Sequence, residues 1–269
     1  MYSARLVDAM EHQLVGRGEA FFHASGAGHE SVAALATWLQ PDDFLHCHYR
    51  DKALLLARGV PIVEFFNTVL CNAASMSAGR QLSPMLSVPA VNVLPMVGPV
   101  ANNALQSVGI AAQIRDTTTR PLVVCSLGDG GTQQGEFLEA VAEAVRSTLP
   151  VLFLIEDNQY AISTRTPGRT FYSLPDGDAA AFMGLPIHRF DGRDALACAA
   201  DLQSIVEQIR STRGPALCLL SMERLADHTN ADDERVYRDQ NERDHARSTS
   251  DPVSRLRSAL LNAGHEEAS

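Results

Sequence analysis

Three continuous apolar runs in the second half of the chain predict buried strands. They are Leu122–Leu127, Val151–Ile155 and Ala216–Ser221. Because they are apolar throughout rather than alternating, they are typical of parallel strands covered by helices on both faces. Apolar residues recur at helical spacing between the first two runs and again before the third. This succession of elements predicts an α/β fold, a doubly wound, mostly parallel sheet with helices on both faces.

The first half of the chain has a different pattern. Helical periodicity predicts helices over Ala4–Gly16, Gly28–Leu39 and Arg50–Arg58. Residues 72–103 are rich in Ser, Pro, Asn and Gly and have no long periodic run. A stretch of that length inside a compact domain indicates a functional loop.

The last part of the chain is strongly charged. We expect residues 223–250 to be either a solvated, mobile segment or a loop that orders on a ligand or partner. The prediction for the whole chain is a single domain over residues 1–269. Within it, residues 223–250 form a charged active-site loop and residues 251–269 a C-terminal tail helix.

Composition narrows the possible classes of protein. The 269 residues are 45% hydrophobic and 20% charged, as in soluble globular enzymes, and the net charge of -10 argues against a nucleic-acid partner. Five widely spaced cysteines without a C-x-x-C pattern predict neither a disulfide framework nor a zinc site. No apolar run approaches the length of a membrane span, and no secretory leader opens the sequence. We therefore expect a cytoplasmic protein without membrane contact.

Polar residues follow two of the predicted strands at their carboxyl ends. Asp129 comes after the first strand, between two glycines, and Asn158 follows the second. Ligands of open parallel sheets bind beyond the carboxyl ends of strands, so these residues are expected to be neighbours. A carboxylate, an amide oxygen and a nearby backbone carbonyl suit Mg²⁺. The pair predicts a site for Mg²⁺ and a phosphorylated ligand. Glu156 and Asp157 have no assigned task here and are expected to be solvated or bonded to loop amides.

The two motifs together resemble the thiamine diphosphate signature, in which G-D-G is followed at this distance by Asn. Nearly the whole chain resembles one family, the α subunit of the thiamine diphosphate-dependent decarboxylating component of 2-oxo acid dehydrogenase complexes. The matching segments are, in chain order, Gly26–Glu30, His48–Asp51, Gly79–Gln81, Val108–Ala112, Gly128–Gly130, Glu156–Ser163, Asp191–Asp194, Asp227–Thr229 and Asp251–Pro252.

The resemblance implies a thiamine diphosphate-binding fold of the diphosphate-binding type and a specific set of site residues. Mg²⁺ would be held by Asp129, Asn158 and the main-chain carbonyl of Tyr160. The family's loop histidine, which acts in acyl transfer or stabilises charge, falls on His228. The implied cofactor contacts are Tyr49, Arg50, Gly98, Val100, Gly128, Asp129, Gly130, Gly131, Asn158, Tyr160 and Ile162.

The resemblance also implies an activity and partners. The family decarboxylates a small 2-oxo acid and passes the acyl or aldehyde unit to an acceptor, typically a lipoyl group. The glutamate that activates the cofactor belongs to a pyrimidine-binding domain on a separate β subunit. We therefore expect an α₂β₂ assembly, inactive as the isolated α chain, that works with a lipoyl-bearing acyltransferase or carrier protein.

One departure keeps alternatives open. A second active-site histidine of the family would fall near Met85, where this chain has Ser83-Pro-Met-Leu. Its loss motivates a thiamine diphosphate-dependent carboligase as an alternative. The N-terminal half of a split transketolase, which also carries G-D-G and Asn, is another. A non-catalytic scaffold is the third, and the intact Asp129 and Asn158 argue against it.

Overall fold

The protein is described by a computed structural model over residues 1–266. Within that part, six strands form the central sheet in the order β1-β2-β3-β10-β9-β8, all parallel except β8 at the edge. Two short antiparallel hairpins, β4–β5 and β6–β7, lie outside it. The strands are β1 Phe44–His46, β2 Val123–Gly128, β3 Val151–Asp157, β4 Tyr160–Ala161, β5 Thr164–Arg165, β6 Ser173–Leu174, β7 Gly177–Asp178, β8 Ala181–Phe182, β9 Leu185–Asp191 and β10 Ala216–Ser221.

Helices cover both faces of this sheet. The α-helices are α1 Tyr2–Gly16, α2 Lys52–Arg58, α3 Ile62–Val69, α4 Asn103–Ile114, α5 Gly135–Ser147, α6 Ala195–Thr212, α7 Gln240–Thr249 and α8 Pro252–Asn262. Four segments form 3-10 helices, namely Glu30–Trp38, Pro89–Val91, Asp129–Gln133 and Glu234–Val236.

The continuous apolar runs are explained by two separate hydrophobic cores. Successive residues of a strand point to opposite faces of the sheet. In β3, Leu152 and Leu154 join the core that α6 and α2 cover, whereas Val151, Phe153 and Ile155 join the core under α4 and α5. Each strand residue is therefore buried whichever way it points. The prediction of a mostly parallel α/β sheet with helices on both faces is confirmed, and all three predicted strands are present.

Two helix predictions in the first half need correction. The segment predicted as helical over 28–39 is a 3-10 helix that begins only at Glu30. Gly28 has a left-handed φ of 97°, and a side chain there would lie 1.8 Å from the carbonyl oxygen of Glu223. The chain therefore turns at Gly28 before the helix begins. The helix predicted from Arg50 starts at Lys52, because Asp51 lies outside it and accepts a hydrogen bond from the His48 amide at 2.8 Å.

The charged segment 223–250 is more ordered than a loop. Its second half contains α7, whose first turn is capped by the Asp239 carboxylate accepting from the Asn241 amide. Arg238, just before α7, is buried and donates to Glu234, Glu242 and the backbone carbonyl of Arg224. Arg238 and Glu234 are buried and pair with each other, whereas Arg235, Asp244 and Arg247 are exposed. Of residues 251–269, Pro252–Asn262 form α8, and residues 267–269 lie outside the described part.

Two expectations from composition can be compared with the structure. All five cysteines are free thiols, as expected from their spacing. Among residues 1–266, none of the helices has both the length and the apolar character that crossing a membrane requires.

Candidate active site

The residues predicted at two strand ends meet in one cavity. Strands β2 and β3 are adjacent and parallel, with Gly128 paired to Glu156, so both carboxyl ends open at the same edge. The cavity there has a volume of about 230 Å³. Every predicted cofactor or catalytic residue lines it except Gly98, which lines an adjoining cavity of about 30 Å³. The lining residues are His48, Tyr49, Arg50, Val100, Gly128, Asp129, Gly130, Gly131, Gln134, Asn158, Tyr160, Ala161, Ile162 and His228.

Asp129 is a buried carboxylate with one strong hydrogen bond. It follows β2 directly and is 2% exposed. Its Oδ2 accepts a hydrogen bond from the Thr166 hydroxyl at 2.5 Å. Burial raises the pKa of Asp129 to about 6, although the Thr166 hydroxyl opposes this rise. A cation beside a desolvated carboxylate favours its ionised form, so Asp129 is suited to holding one.

Asn158 lies in a turn that fixes its side chain. Asp157 ends β3 and accepts a hydrogen bond from the Gln159 amide at 3.0 Å, and Gln159 has a left-handed φ of 65°. The Asn158 Oδ1 accepts from the Tyr160 amide at 3.2 Å. On its other side the Asn158 Nδ2 lies 3.2 Å from the His29 Nε2. Asp157 therefore bonds a loop amide, as expected from the sequence, and it shapes the turn that presents Asn158.

Gly130 is required by the close approach of two loops. A side chain at this position would place its Cβ 2.8 Å from the Cβ of Ala161, which real Cβ atoms essentially never allow. Gly130 follows Asp129, and Ala161 follows Tyr160, so the contact brings the two predicted metal-binding segments together. Glycine here permits the backbone approach that a diphosphate-binding turn needs.

Arg50 connects the cavity to the loop that carries His228. The Arg50 Nη2 donates to the His228 Nδ1 at 2.9 Å and to the His228 carbonyl at 3.0 Å. Because Nδ1 accepts, the neutral ring carries its proton on Nε2. Burial, with added repulsion from Arg50 and Arg224, lowers the pKa of His228 to about 4. His228 is thus neutral near pH 7 and offers one N–H donor. Tyr49 completes this side, with its ring 6.3 Å from the His228 ring and edge-on to it.

A set of side-chain contacts holds the His228 loop against the cavity. The Asp232 carboxylate accepts from the His228 amide at 2.9 Å and also from the Tyr237 hydroxyl. Arg224 is 1% exposed, and it donates to the Tyr237 hydroxyl at 2.5 Å and to the Ile162 carbonyl at 2.9 Å. Ile162 lines the cavity, so Arg224 ties the loop to the segment that follows Asn158.

The expectation for Glu156 is wrong. It was expected to be solvated or bonded to loop amides, but it is 0% exposed. Its Oε2 lies 2.5 Å from the Nδ1 of His29, whose own Nε2 contacts the Asn158 side chain. The reason is the parallel register, which places Glu156 inside the sheet opposite Gly128 rather than in the turn.

Besides the lining residues His48, Gln134 and Ala161, sequence reasoning missed four residues that support the site from outside the cavity lining. Thr166, Arg224, His29 and Glu156 were assigned no site role, yet each contacts a predicted site residue or the residue that holds one. A usable signal existed for Glu156, an acid immediately after an apolar run. Met85, where the family's second histidine was sought, packs against the core and does not line the cavity.

The fold and the site define a class: an α/β domain with oxygen-bearing side chains at the carboxyl ends of two adjacent parallel strands. The chain belongs to the dehydrogenase E1 component family, whose model matches residues 1–269. The predicted resemblance is therefore confirmed.

Three relatives illustrate the match. The chain is 30% identical over 265 residues to the 3-methyl-2-oxobutanoate dehydrogenase subunit alpha of Mycobacterium tuberculosis. The match covers 98% of this chain and 69% of the relative. It is 29% identical over 266 residues to the pyruvate dehydrogenase E1 component subunit alpha of Staphylococcus aureus, with the same coverage. It is 28% identical over 267 residues to the mitochondrial 2-oxoisovalerate dehydrogenase subunit alpha 1 of Arabidopsis thaliana. That match covers 98% of this chain but only 56% of the relative's length.

Proposed function

We propose that this chain is the α-type subunit of a thiamine diphosphate-dependent 2-oxo acid dehydrogenase. It decarboxylates a small 2-oxo acid and passes the acyl unit to an acceptor, typically a lipoyl group. The observation that carries the proposal is the convergence of Asp129, Asn158 and His228 in one cavity. The E1 family is thiamine diphosphate-dependent, and the relatives are dehydrogenase subunits by name, which supports this activity over a carboligase or a split transketolase.

The cavity residues fit a magnesium ion. Mg²⁺ prefers oxygen ligands and keeps phosphate and water oxygens in its octahedron. The Asp129 carboxylate, the Asn158 amide oxygen and the Tyr160 carbonyl are oxygen donors of this kind. Asp129 is buried next to Thr166, and none of the ion pairs within residues 1–266 involves it, so a bound cation would offset the cost of its desolvation. We propose these three groups as the metal ligands.

The other cavity residues fit a diphosphate and an apolar ring. Arg50 and Tyr49 line the cavity together with the Gly130-Gly131 turn. Val100 lines this space with 54% of its surface exposed, so it would offer an apolar contact to the ring of the bound cofactor. When bound, thiamine diphosphate supplies the carbanion chemistry that releases carbon dioxide from the 2-oxo acid.

His228 is the group of this chain best placed to act on the substrate. Its neutral ring holds a proton at Nε2, because Arg50 donates to Nδ1. A hydrogen-bond donor held there would stabilise negative charge on a substrate oxygen or supply a proton to it. Arg50 and the amide contact to Asp232 fix the orientation of the ring.

We propose that a second chain completes the site. Residues 1–266 build one six-stranded sheet and two short hairpins, and none of these is a second α/β domain. We propose that a β-type subunit supplies the pyrimidine-binding domain and its activating glutamate in an α₂β₂ assembly. A lipoyl-bearing acyltransferase is the proposed acceptor.

Reconstitution tests the proposal. The chain is purified alone and together with a β-type subunit of the same family, and carbon dioxide release from branched-chain 2-oxo acids and pyruvate is measured with thiamine diphosphate and Mg²⁺. We expect release only from the two-chain assembly, and acyl transfer when a lipoyl domain is added. Decarboxylation by the pure single chain contradicts the need for a partner. Condensed acyloin products that persist with the lipoyl domain present would instead favour carboligation.

A further inference from the structure

A buried chain of three side chains runs from the sheet to the Asn158 amide. Glu156, in β3, lies 2.5 Å from the His29 Nδ1, and the His29 Nε2 lies 3.2 Å from the Asn158 Nδ2. His29 and Glu156 are both 0% exposed and Asn158 is 5% exposed. His29 comes from the N-terminal turn at residues 26–30, far from β3 in sequence. The contact therefore depends on the folded domain and not on the local turn.

The two arms of the Asn158 amide have different partners, and these set its orientation. The Tyr160 backbone N–H is a donor and requires the oxygen arm, which it meets at 3.2 Å. The nitrogen arm has two N–H donors and requires an acceptor, which the unprotonated Nε2 of His29 provides. A flipped amide would set a donor against the Tyr160 N–H and an acceptor against His29. Both contacts therefore select the same orientation.

The hydrogen bond to Glu156 selects the tautomer that makes this possible. A neutral imidazole has one donor and one acceptor nitrogen. The Glu156 carboxylate beside Nδ1 requires a donor there, so Nε2 is left with its lone pair toward Asn158. Such partners on the second nitrogen are a common means of fixing a histidine's role at metal sites. Here the histidine acts on a metal ligand instead of the metal.

We propose that His29, oriented by Glu156, is a positioning residue that keeps the Asn158 Oδ1 available to Mg²⁺ beside Asp129. This inference rests on the proposed function, since it concerns the proposed metal ligands. It assigns roles to two buried polar residues that the proposed reaction does not otherwise use. His29 does not line the cavity, so we expect its effect on metal affinity through Asn158.

The test measures Mg²⁺ affinity of the α/β assembly by titration at saturating thiamine diphosphate. His29→Met removes the acceptor at similar size, and we expect affinity to fall about 10- to 100-fold, the range found for residues that support metal ligands. His29→Gln can offer a carbonyl to Asn158 and an N–H to Glu156, and we expect affinity within about 3-fold of wild type. The exposed His265→Met serves as the matched control.

A double-substitution cycle separates positioning from a purely structural role. An aspartate at position 158 has two equivalent oxygens and needs no fixed orientation. In the Asn158→Asp background, His29→Met is therefore expected to change Mg²⁺ affinity by less than about 3-fold, whereas coupled residues show clear non-additivity. An equal loss in both backgrounds overturns the inference. Equal affinity of His29→Met and wild type overturns it as well.

Two further outcomes are distinguishable. If His29→Met does not fold, Glu156→Gln decides: it replaces a charged hydrogen bond by a neutral one, and we expect a loss of about 10-fold, the lower end of the range for residues that support metal ligands. Unchanged affinity in a folded Glu156→Gln assembly then overturns the inference. If the wild-type assembly binds neither Mg²⁺ nor thiamine diphosphate, the proposed function fails and this inference fails with it. If the wild-type assembly binds both Mg²⁺ and thiamine diphosphate, the variants test only the positioning role of His29.

Discussion

The two sides of the cavity are built in different ways. The sheet side, consisting of Asp129, Asn158 and Tyr160, follows directly from adjacent strands β2 and β3 whose backbones are paired along their length. The loop side, consisting of Arg50 and His228, is held by side-chain hydrogen bonds and charges between segments distant in sequence. Backbone pairing in a buried sheet is cooperative, whereas each side-chain contact can be lost singly. From this comparison we expect binding and turnover to be separable in this site, with the sheet side holding the metal ion and His228 of the loop side acting on the substrate.

The largest expected effect is on the sheet side. Asp129→Asn keeps the size of the side chain but removes the charge that a cation needs. We expect the affinity of the α/β assembly for thiamine diphosphate with Mg²⁺ to fall more than about 100-fold, because residues that merely support metal ligands already cost 10- to 100-fold. Calorimetric titration measures this. Asp116→Asn, at an exposed carboxylate, is the matched control. A loss below about 3-fold would contradict the assignment of Asp129.

The next largest effect is expected on the loop side, and it concerns turnover instead of cofactor affinity. His228→Asn retains an acceptor for Arg50 but removes the imidazole. We expect turnover to fall at least about 100-fold, as for loss of a general acid or base. The affinity for the cofactor is expected to stay within about 3-fold of wild type, because the substitution removes an interaction made in the transition state and not in the ground state. Steady-state kinetics and the same titration separate the two quantities, with the exposed His245→Asn as control. If cofactor affinity falls as much as turnover does, the prediction that the two sides serve binding and turnover separately is wrong.

The sheet side is the part that the sequence predicts well. Apolar runs locate β2 and β3, and parallel strands joined by one crossover helix place Asp129 and Asn158 at the same edge before any coordinates are known. The motif resemblance then assigns Arg50, Tyr49 and His228, and all of these line the same cavity. The placement of these residues in one cavity is predictable because it depends on strand order and on short local motifs.

Contacts between distant segments were not predictable in the same way. Glu156 and His29 are 127 positions apart, and Thr166 and Asp129 are 37 apart. No periodicity links such pairs, because each depends on how two loops pack against the same strand end. The prediction of a loop over the charged segment 223–250 likewise did not include the ion pairs of Arg238 with Glu234 and with Glu242, the second of which lies in α7. Burial of Glu156 was missed because an acid at a strand end is usually solvated.

A smaller effect is expected from the contacts that hold the loop. Tyr237→Phe removes the hydroxyl that donates to Asp232 and accepts from Arg224, and leaves an Arg224 donor buried without that partner. Leaving a buried donor unsatisfied costs about 1–3 kcal/mol, so we expect a more mobile loop and turnover lowered about 3- to 10-fold. Turnover and the rate of proteolysis within residues 227–238 are measured together. Tyr2→Phe, which is 66% exposed, is the matched control. Unchanged proteolysis with lowered turnover would mean that Tyr237 acts otherwise than by holding the loop.

The smallest effects concern pH, and the two sides are expected to respond with opposite sign. Burial raises the pKa of Asp129 from 3.8 to about 6, so between these values the folded chain binds more protons, and this contribution to the free energy of unfolding falls as pH rises. Burial lowers the pKa of His228 from 6.5 to about 4, so its contribution rises with pH over nearly the same range. Urea unfolding of the cofactor-free, chelated chain measures the slope of stability against pH. We expect Asp129→Asn to make that slope more positive and His228→Asn to make it less positive. Shifts of the same sign in both variants would contradict the assignment of opposite protonation behaviour to the two sides.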